Sequence, residues 1–186
     1  MFDRKGTVKK TGACEECRLH PSMNLTRTVV RELLASHAQV WDALPYLQNH
    51  ITNHGDLLSH EEFDEIAENI WVHVSAYLAP TCRIEAPAII CGGAKICHYA
   101  HVEGSVIGAF ATVGEMSHVK NSIMFRSTCI ENGATVENSI IMQGSRIGKN
   151  ARLDYVILDK DVTVMDGTVL CGTPEHPVII PKGATV

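Results

Sequence analysis

Aliphatic side chains recur along the second half of the chain on a six, six, five cadence: Ile107, Val113 and Val119; Met124, Ile130 and Val136; Ile141, Ile147 and Leu153; Leu158, Val164 and Leu170. Each set returns 17 residues later, and a small residue stands four places after most of its members, as at Ala111, Ser117, Thr128, Ala134, Ser145, Ala151 and Thr168. A helix stripe repeats every 3.6 residues and a half-buried strand every two, so neither produces this period. A chain that turns a corner in every unit does. Three short strands then form a triangular coil, and stacked coils place like residues about 4.8 Å apart in three parallel sheets.

The cadence starts upstream with Val72, Leu78, Ile84, Ile90, Ile96 and Val102, and small partners follow at Ala76, Ala88, Ala94 and Ala100. Residues 171–177 interrupt it as a predicted corner loop, and Ile180, Ala184 and Val186 resume it, which predicts between six and seven coils. Before residue 70 the spacing changes to three and four, at Val30, Leu33, Leu34, Ala38, Trp41, Leu44, Leu47 and Ile51, the stripe of amphipathic helices. Ser59-His60-Glu61-Glu62 reads as the start of a further short helix carrying Phe63, Ile66 and Ile70. The end of a stack of coils exposes unpaired strand edges, so these helices are expected to plug it. The predicted organisation is a flexible arm over 1–23, a helical cap over 24–70 and a β-helix over 71–186.

Positions just after the inward aliphatics carry Cys91, Cys97, Phe125, Met142, Met165 and Cys171. Phe125 and Met142 fall one coil apart, and an outward apolar stripe of this kind predicts a subunit interface. Charge and composition narrow the partners. The net charge is −5 and Lys or Arg never run beyond two, so no nucleic-acid surface is expected. No apolar run approaches 18 residues and Met1-Phe2-Asp3-Arg4-Lys5 lacks the apolar core of a secretory signal, so no membrane association is expected and the location is read as cytoplasmic. Seven scattered cysteines suit free thiols rather than a disulfide framework. Cys14, Cys17 and His20 supply three donors where a structural zinc site needs four, and they are read as part of a solvated tail.

The cadence resembles that of hexapeptide-repeat transferases, which implies a single-stranded left-handed parallel β-helix, mainly β in class, assembled as a homotrimer. Residues 24–125 are similar to relatives of the acetyltransferase half of the glucosamine-1-phosphate acetyltransferase and UDP-N-acetylglucosamine pyrophosphorylase enzyme. Glu68-Asn69-Ile70-Trp71-Val72-His73, Ala86-Pro87-Ala88-Ile89-Ile90 and Val119-Lys120-Asn121-Ser122-Ile123-Met124-Phe125 carry that likeness. Residues 121–186 resemble the C-terminal β-helix of glucose-1-phosphate adenylyltransferase, particularly its regulatory type, through Asn138-Ser139-Ile140-Ile141-Met142-Gln143 and Pro177-Val178-Ile179-Ile180-Pro181-Lys182-Gly183.

The first resemblance implies acetyl transfer from acetyl-CoA to a sugar phosphate, with a His as general base and Arg and Lys facing the phosphate. Here Asn132 stands at the His position, and an amide cannot take a proton at neutral pH. Cys97 and Glu103 stand at the two Arg positions, while the Lys is kept as Lys120. Lys120, His118 and His101 are therefore the candidate binders of a sugar phosphate or sugar nucleotide. His98, His101 and His118 are similar to the three-histidine zinc site of hexapeptide-repeat carbonic anhydrases, but those enzymes space two ligands five apart and His98 and His101 are three apart, so no metal is expected. Two functional readings follow: a sugar-phosphate transferase, acetyl-CoA-dependent if active, or a non-catalytic assembly or regulatory β-helix related to glucose-1-phosphate adenylyltransferase.

Overall fold

The six, six, five cadence closes into three parallel sheets. The structure is a computed structural model that describes residues 25–186. Two sheets have six strands each and the third has eight, seven of them parallel, giving the left-handed parallel β-helix predicted from the cadence. Register is direct from coil to coil: Ile107 pairs with Met124, Met124 with Ile141, and Ile141 with Leu158. All four are fully buried, as are Val113, Ile130 and Ile147 in the second stack and Val102, Val119, Val136 and Leu153 in the third. The segments assigned to the arm, including Cys14, Cys17 and His20, lie outside the described residues.

Each corner has its own chemistry. Gly104, Asn121, Asn138 and Tyr155 occupy one corner column with φ between 45° and 57°, the left-handed region that Gly and Asn tolerate best. The Asn121 amide donates to Asn138 Oδ1 at 2.9 Å, and the Asn138 amide donates to Asp154 Oδ1 at 2.9 Å, so the column is tied vertically. The next residue is a buried serine, at 105, 122 and 139. The hydroxyls of Ser105 and Ser122 donate within their own coil, to Glu103 and Lys120 carbonyls at 2.7 Å, and accept the amides of Ser122 and Ser139 one coil on, at 3.0 and 3.1 Å. The Asn-Ser-Ile step thus reads physically as a left-handed corner, a hydroxyl ladder and an outward aliphatic.

That outward aliphatic corrects the expected position of the helices. Trp71, Ile89, Val106, Ile123, Ile140 and Ile157 form the outer column of the eight-stranded sheet, and all are buried. They share one apolar cluster with Val30, Leu33, Leu44, Leu47 and Ile51. Helices α1 (Leu25–Ala35) and α2 (Leu47–Gly55), with a 3-10 turn over Val40–Tyr46 between them, therefore lie against a flank of the prism instead of plugging its end. The reason is present in the sequence as paired aliphatics such as Ile89-Ile90 and Ile140-Ile141: a sheet buried on both faces has no polar side to alternate with. Phe125 is half-buried and packs against the same cluster, so it is not a freely exposed member of the expected interface stripe.

The end of that sheet is closed differently. The segment predicted as a short helix is a strand, Phe63–Ala67, paired antiparallel with Ile70–His73. Only Phe63 in this strand is buried, while Ile66 is exposed, so there is no apolar stripe to hold a helix. Asn69 turns the hairpin at φ 60° and its backbone N–H donates to Glu65 Oε1 at 2.9 Å. Pairing to an open strand edge outweighs the local helix signal. At the other end, the predicted loop begins one residue later than expected, because Cys171 still pairs with Asp154, and residues 172–177 bulge before Val178–Ile180 rejoins the sheet beside Val156–Leu158. No helix among the described residues is long and apolar enough to cross a membrane.

Candidate functional site

The two sheets not covered by helices present their outward side chains to solvent, and one of them is densely polar. Its inward residues are Ile84, Val102, Val119, Val136 and Leu153, so the residues on either side of each point outward. One column reads Arg83, His101, His118, Thr135 and Arg152. Its neighbour reads Glu85, Glu103, Lys120, Glu137 and Asp154. The face is polar because both flanking positions are polar in five successive coils.

The side chains neutralise one another. Lys120 Nζ lies 2.9 Å from Glu103 Oε1, and Arg83 Nε lies 2.6 Å from Glu85 Oε1. His101 Nε2 donates to Glu85 Oε1 at 3.0 Å. The hydrogen bond and charge of Glu103 hold the Lys120 ammonium pKa above its ordinary value. With both histidines neutral, the two columns carry three cations, Arg83, Lys120 and Arg152, against four carboxylates, Glu85, Glu103, Glu137 and Asp154. An incoming phosphate therefore meets a face with one net negative charge, and its one lysine is already engaged. Exposed pairs of this sort contribute little stability, about 0–1 kcal/mol each, but they decide which ions the face accepts.

His101 and His118 stack with ring centroids 4.6 Å apart and planes within 1° of parallel. Nε2 of His118 is shielded from solvent and has no hydrogen-bond partner among the described residues. Burial, followed by the neighbouring His101, pushes the His118 pKa down from 6.5. The stability consequence has a definite sign. As pH falls, the unfolded chain takes up the proton near the ordinary histidine pKa of about 6.5 while the folded chain resists it, so the contribution of His118 is full above that pH and lost below it, down to the folded pKa. A titration followed by NMR is expected to place His118 below 6.5, and His118→Asn is expected to reduce acid sensitivity in this window. A titration midpoint at or above 6.5 would contradict this.

The structure thus brings together three of the residues singled out in the sequence, His101, His118 and Lys120, and separates the fourth. Asn132 sits on the corner before strand Thr135–Glu137, exposed, where its Oδ1 accepts the Glu115 amide at 3.1 Å in a corner ladder. His98 also stands apart, on an exposed corner with Nδ1 2.8 Å from Thr81 Oγ1. Cys97, at one Arg position, is half-buried just after strand Lys95–Ile96 of the other six-stranded sheet, and burial raises its thiol pKa. The carboxylate left unnamed from the sequence is Glu85, and Glu103, noted there only at an Arg position, is the partner of Lys120. Their signal was the coil repeat itself, which stacks Glu85 on Glu103 and Glu103 on Lys120.

Residues 67–170 match the family described as the EIF2B subunit epsilon LbH domain, and they make up more than half of the chain. The chain belongs to that family. No curated protein matches the chain. Among solved structures, a hexapeptide transferase family protein from Anaplasma phagocytophilum is 22% identical over 62% of this chain and 68% of its own, with a TM-score of 0.47. Perosamine N-acetyltransferase from Caulobacter crescentus, in complex with CoA and GDP-perosamine, is 17% identical over 61% of this chain and 49% of its own, with a TM-score of 0.42. The acetyltransferase domain of PglB from Neisseria gonorrhoeae is 19% identical over 62% of this chain and 52% of its own, with a TM-score of 0.36. The chain thus spans about half the length of the last two, and the likeness is one of fold.

Proposed function

We propose that this LbH chain is a non-catalytic assembly module, in which the β-helix forms the scaffold and the helices within residues 25–55 cover one of its flanks. The carrying observation is that the residues standing at the expected catalytic positions are engaged in holding the coil. Asn132 accepts a backbone amide of the preceding coil, and Lys120 is paired with Glu103. Neither a general base for an amine nor a free cation for a sugar phosphate stands among them. The likeness of residues 121–186 to the β-helix of glucose-1-phosphate adenylyltransferase supports the same reading, as does membership of a family described as a domain of a subunit.

A homotrimer is the assembly we assign to it. Tyr99 and Met116 lie one coil apart on one corner, 69% and 66% exposed, with φ of 58° and 56°. Bulky side chains in this region cost on the order of 1–3 kcal/mol each, which a covering partner would offset. Sedimentation equilibrium is expected to give about 61 kDa, three times the chain mass of 20.3 kDa, and the Tyr99→Ser, Met116→Ser variant is expected to fall towards 20.3 kDa. A monomer at tens of micromolar would remove the assembly reading.

The competing transferase reading is tested by thermal shift. A ligand at a hundred times its dissociation constant adds about 2.7 kcal/mol. Acetyl-CoA and UDP-sugars are expected to produce no shift. A shift with either, together with turnover lost in Lys120→Ala, would replace the assembly reading with sugar-phosphate acetyl transfer.

A further inference from the structure

The geometry points to a binding site for a zinc-like divalent cation on the polar sheet, formed by His101, Glu103 and His118. One donor atom from each of the three lies within 4.8 Å of the other two. Two imidazoles and one carboxylate form a donor set suited to a borderline cation such as Zn²⁺ or Co²⁺, rather than to Ca²⁺ or Mg²⁺, which prefer all-oxygen shells. Three protein ligands leave a fourth position for water. Donors about 2.0–2.1 Å from one tetrahedral zinc stand about 3.3–3.4 Å apart, so the present donors need to converge by at most about 1.5 Å, which rotation of the half-exposed rings and the Glu103 side chain can supply.

Two further observations fit this use, and a third identifies what a metal must displace. His118 Nε2 is a solvent-shielded ring nitrogen with no hydrogen-bond partner among the described residues, an arrangement that leaves a polar atom unsatisfied until something binds it. Glu85 accepts from His101 Nε2, which fixes the proton on that nitrogen and leaves Nδ1 with its lone pair, as outer carboxylates do for metal-bound histidines. Lys120 Nζ already sits on Glu103 at 2.9 Å, so the chain places its own cation where a metal would compete for the same oxygen. The spacing rule applied to His98, His101 and His118 missed this set. Glu103 stands two residues after His101 along one strand, and His118 pairs with His101 across the coils.

The test is zinc binding to the full chain, prepared metal-free, with Cys14→Ser and Cys17→Ser in every sample so that the N-terminal thiols do not contribute. Calorimetry is expected to give one Zn²⁺ per chain, and Co²⁺ is expected to give tetrahedral visible bands without a thiolate charge-transfer band. His118→Gln and His101→Gln should abolish uptake. Glu85→Gln should weaken it by about 10–100-fold, the range for an outer-shell partner. Lys120→Met should tighten it by about tenfold, because Glu103 is then free. Unfolding would expose the thiols of Cys82, Cys91, Cys97 and Cys129, which bind zinc through sulfur, so a gain of affinity with no Co²⁺ thiolate band separates the site from general damage. No zinc uptake at micromolar concentrations, uptake unchanged in the two histidine variants, or unchanged affinity in Lys120→Met would each overturn the site.

Discussion

Trp71→Ala is expected to lower stability by about 3–5 kcal/mol, the range for removing a large buried aromatic. Trp71 is 2% exposed and lies on the outer column of the helix-covered sheet. It shares one cluster with Leu44, Leu47 and Ile51, and its indole packs directly over Gly55 at the end of α2. Loss of the indole removes the surface against which α2 ends, while the interior stacks of the β-helix keep their contacts. The effect should therefore be uneven. Hydrogen exchange is expected to show α1, α2 and the Phe63–Ala67 strand opening first, with the sheet amides near Ile123 and Ile140 exposed next and the inward stacks last. Uniform loss of protection over the whole chain would mean that the helical segment and the prism form a single cooperative unit. Gly55→Ala reaches the same contact from the other side, since a Cβ there would collide with the indole.

Almost all of the prism is legible in the sequence, because its rule is local and repeated. An inward aliphatic every five or six residues and a small partner four later each have one physical reason, and the two agree over six coils. Two elements escape that rule. Ser59 to Ile70 contains a good helix start, but its fate is set by the open edge of the strand at Ile70–His73, which local sequence does not display. The flank position of α1 and α2 depends on the outer column from Trp71 to Ile157, and each member looks like half of an aliphatic pair with its inward neighbour. The site is legible in part for a similar reason. His101, His118 and Lys120 are conspicuous as residue types, yet what they can do depends on Glu85 and Glu103, whose effect comes from sitting one coil away. Charge summed along the chain hides a lysine that is neutralised across a 2.9 Å contact.

Ile141→Ala is expected to cost about 2–5 kcal/mol, and Ile141→Val only about 0.5–1.5. Ile141 is fully buried, with Met124 on one side of it in the stack and Leu158 on the other. The truncation therefore removes contacts to both adjacent coils, and those coils cannot close the gap. Their spacing is fixed by backbone ladders such as Phe125 N to Ile141 O at 2.8 Å and Met142 N to Leu158 O at 3.0 Å. Stability in a solenoid is close to a sum of coil energies and nearest-neighbour terms, so a gap in the middle weakens two interfaces whereas one at the last coil weakens one. Leu170→Ala, at a half-buried position in the last full coil, should accordingly cost less than Ile141→Ala. Urea unfolding of the three variants checks the order. If Leu170→Ala proved as costly as Ile141→Ala, coupling would have to extend along the whole prism, and the coils could not be treated as units that each hold only their neighbours.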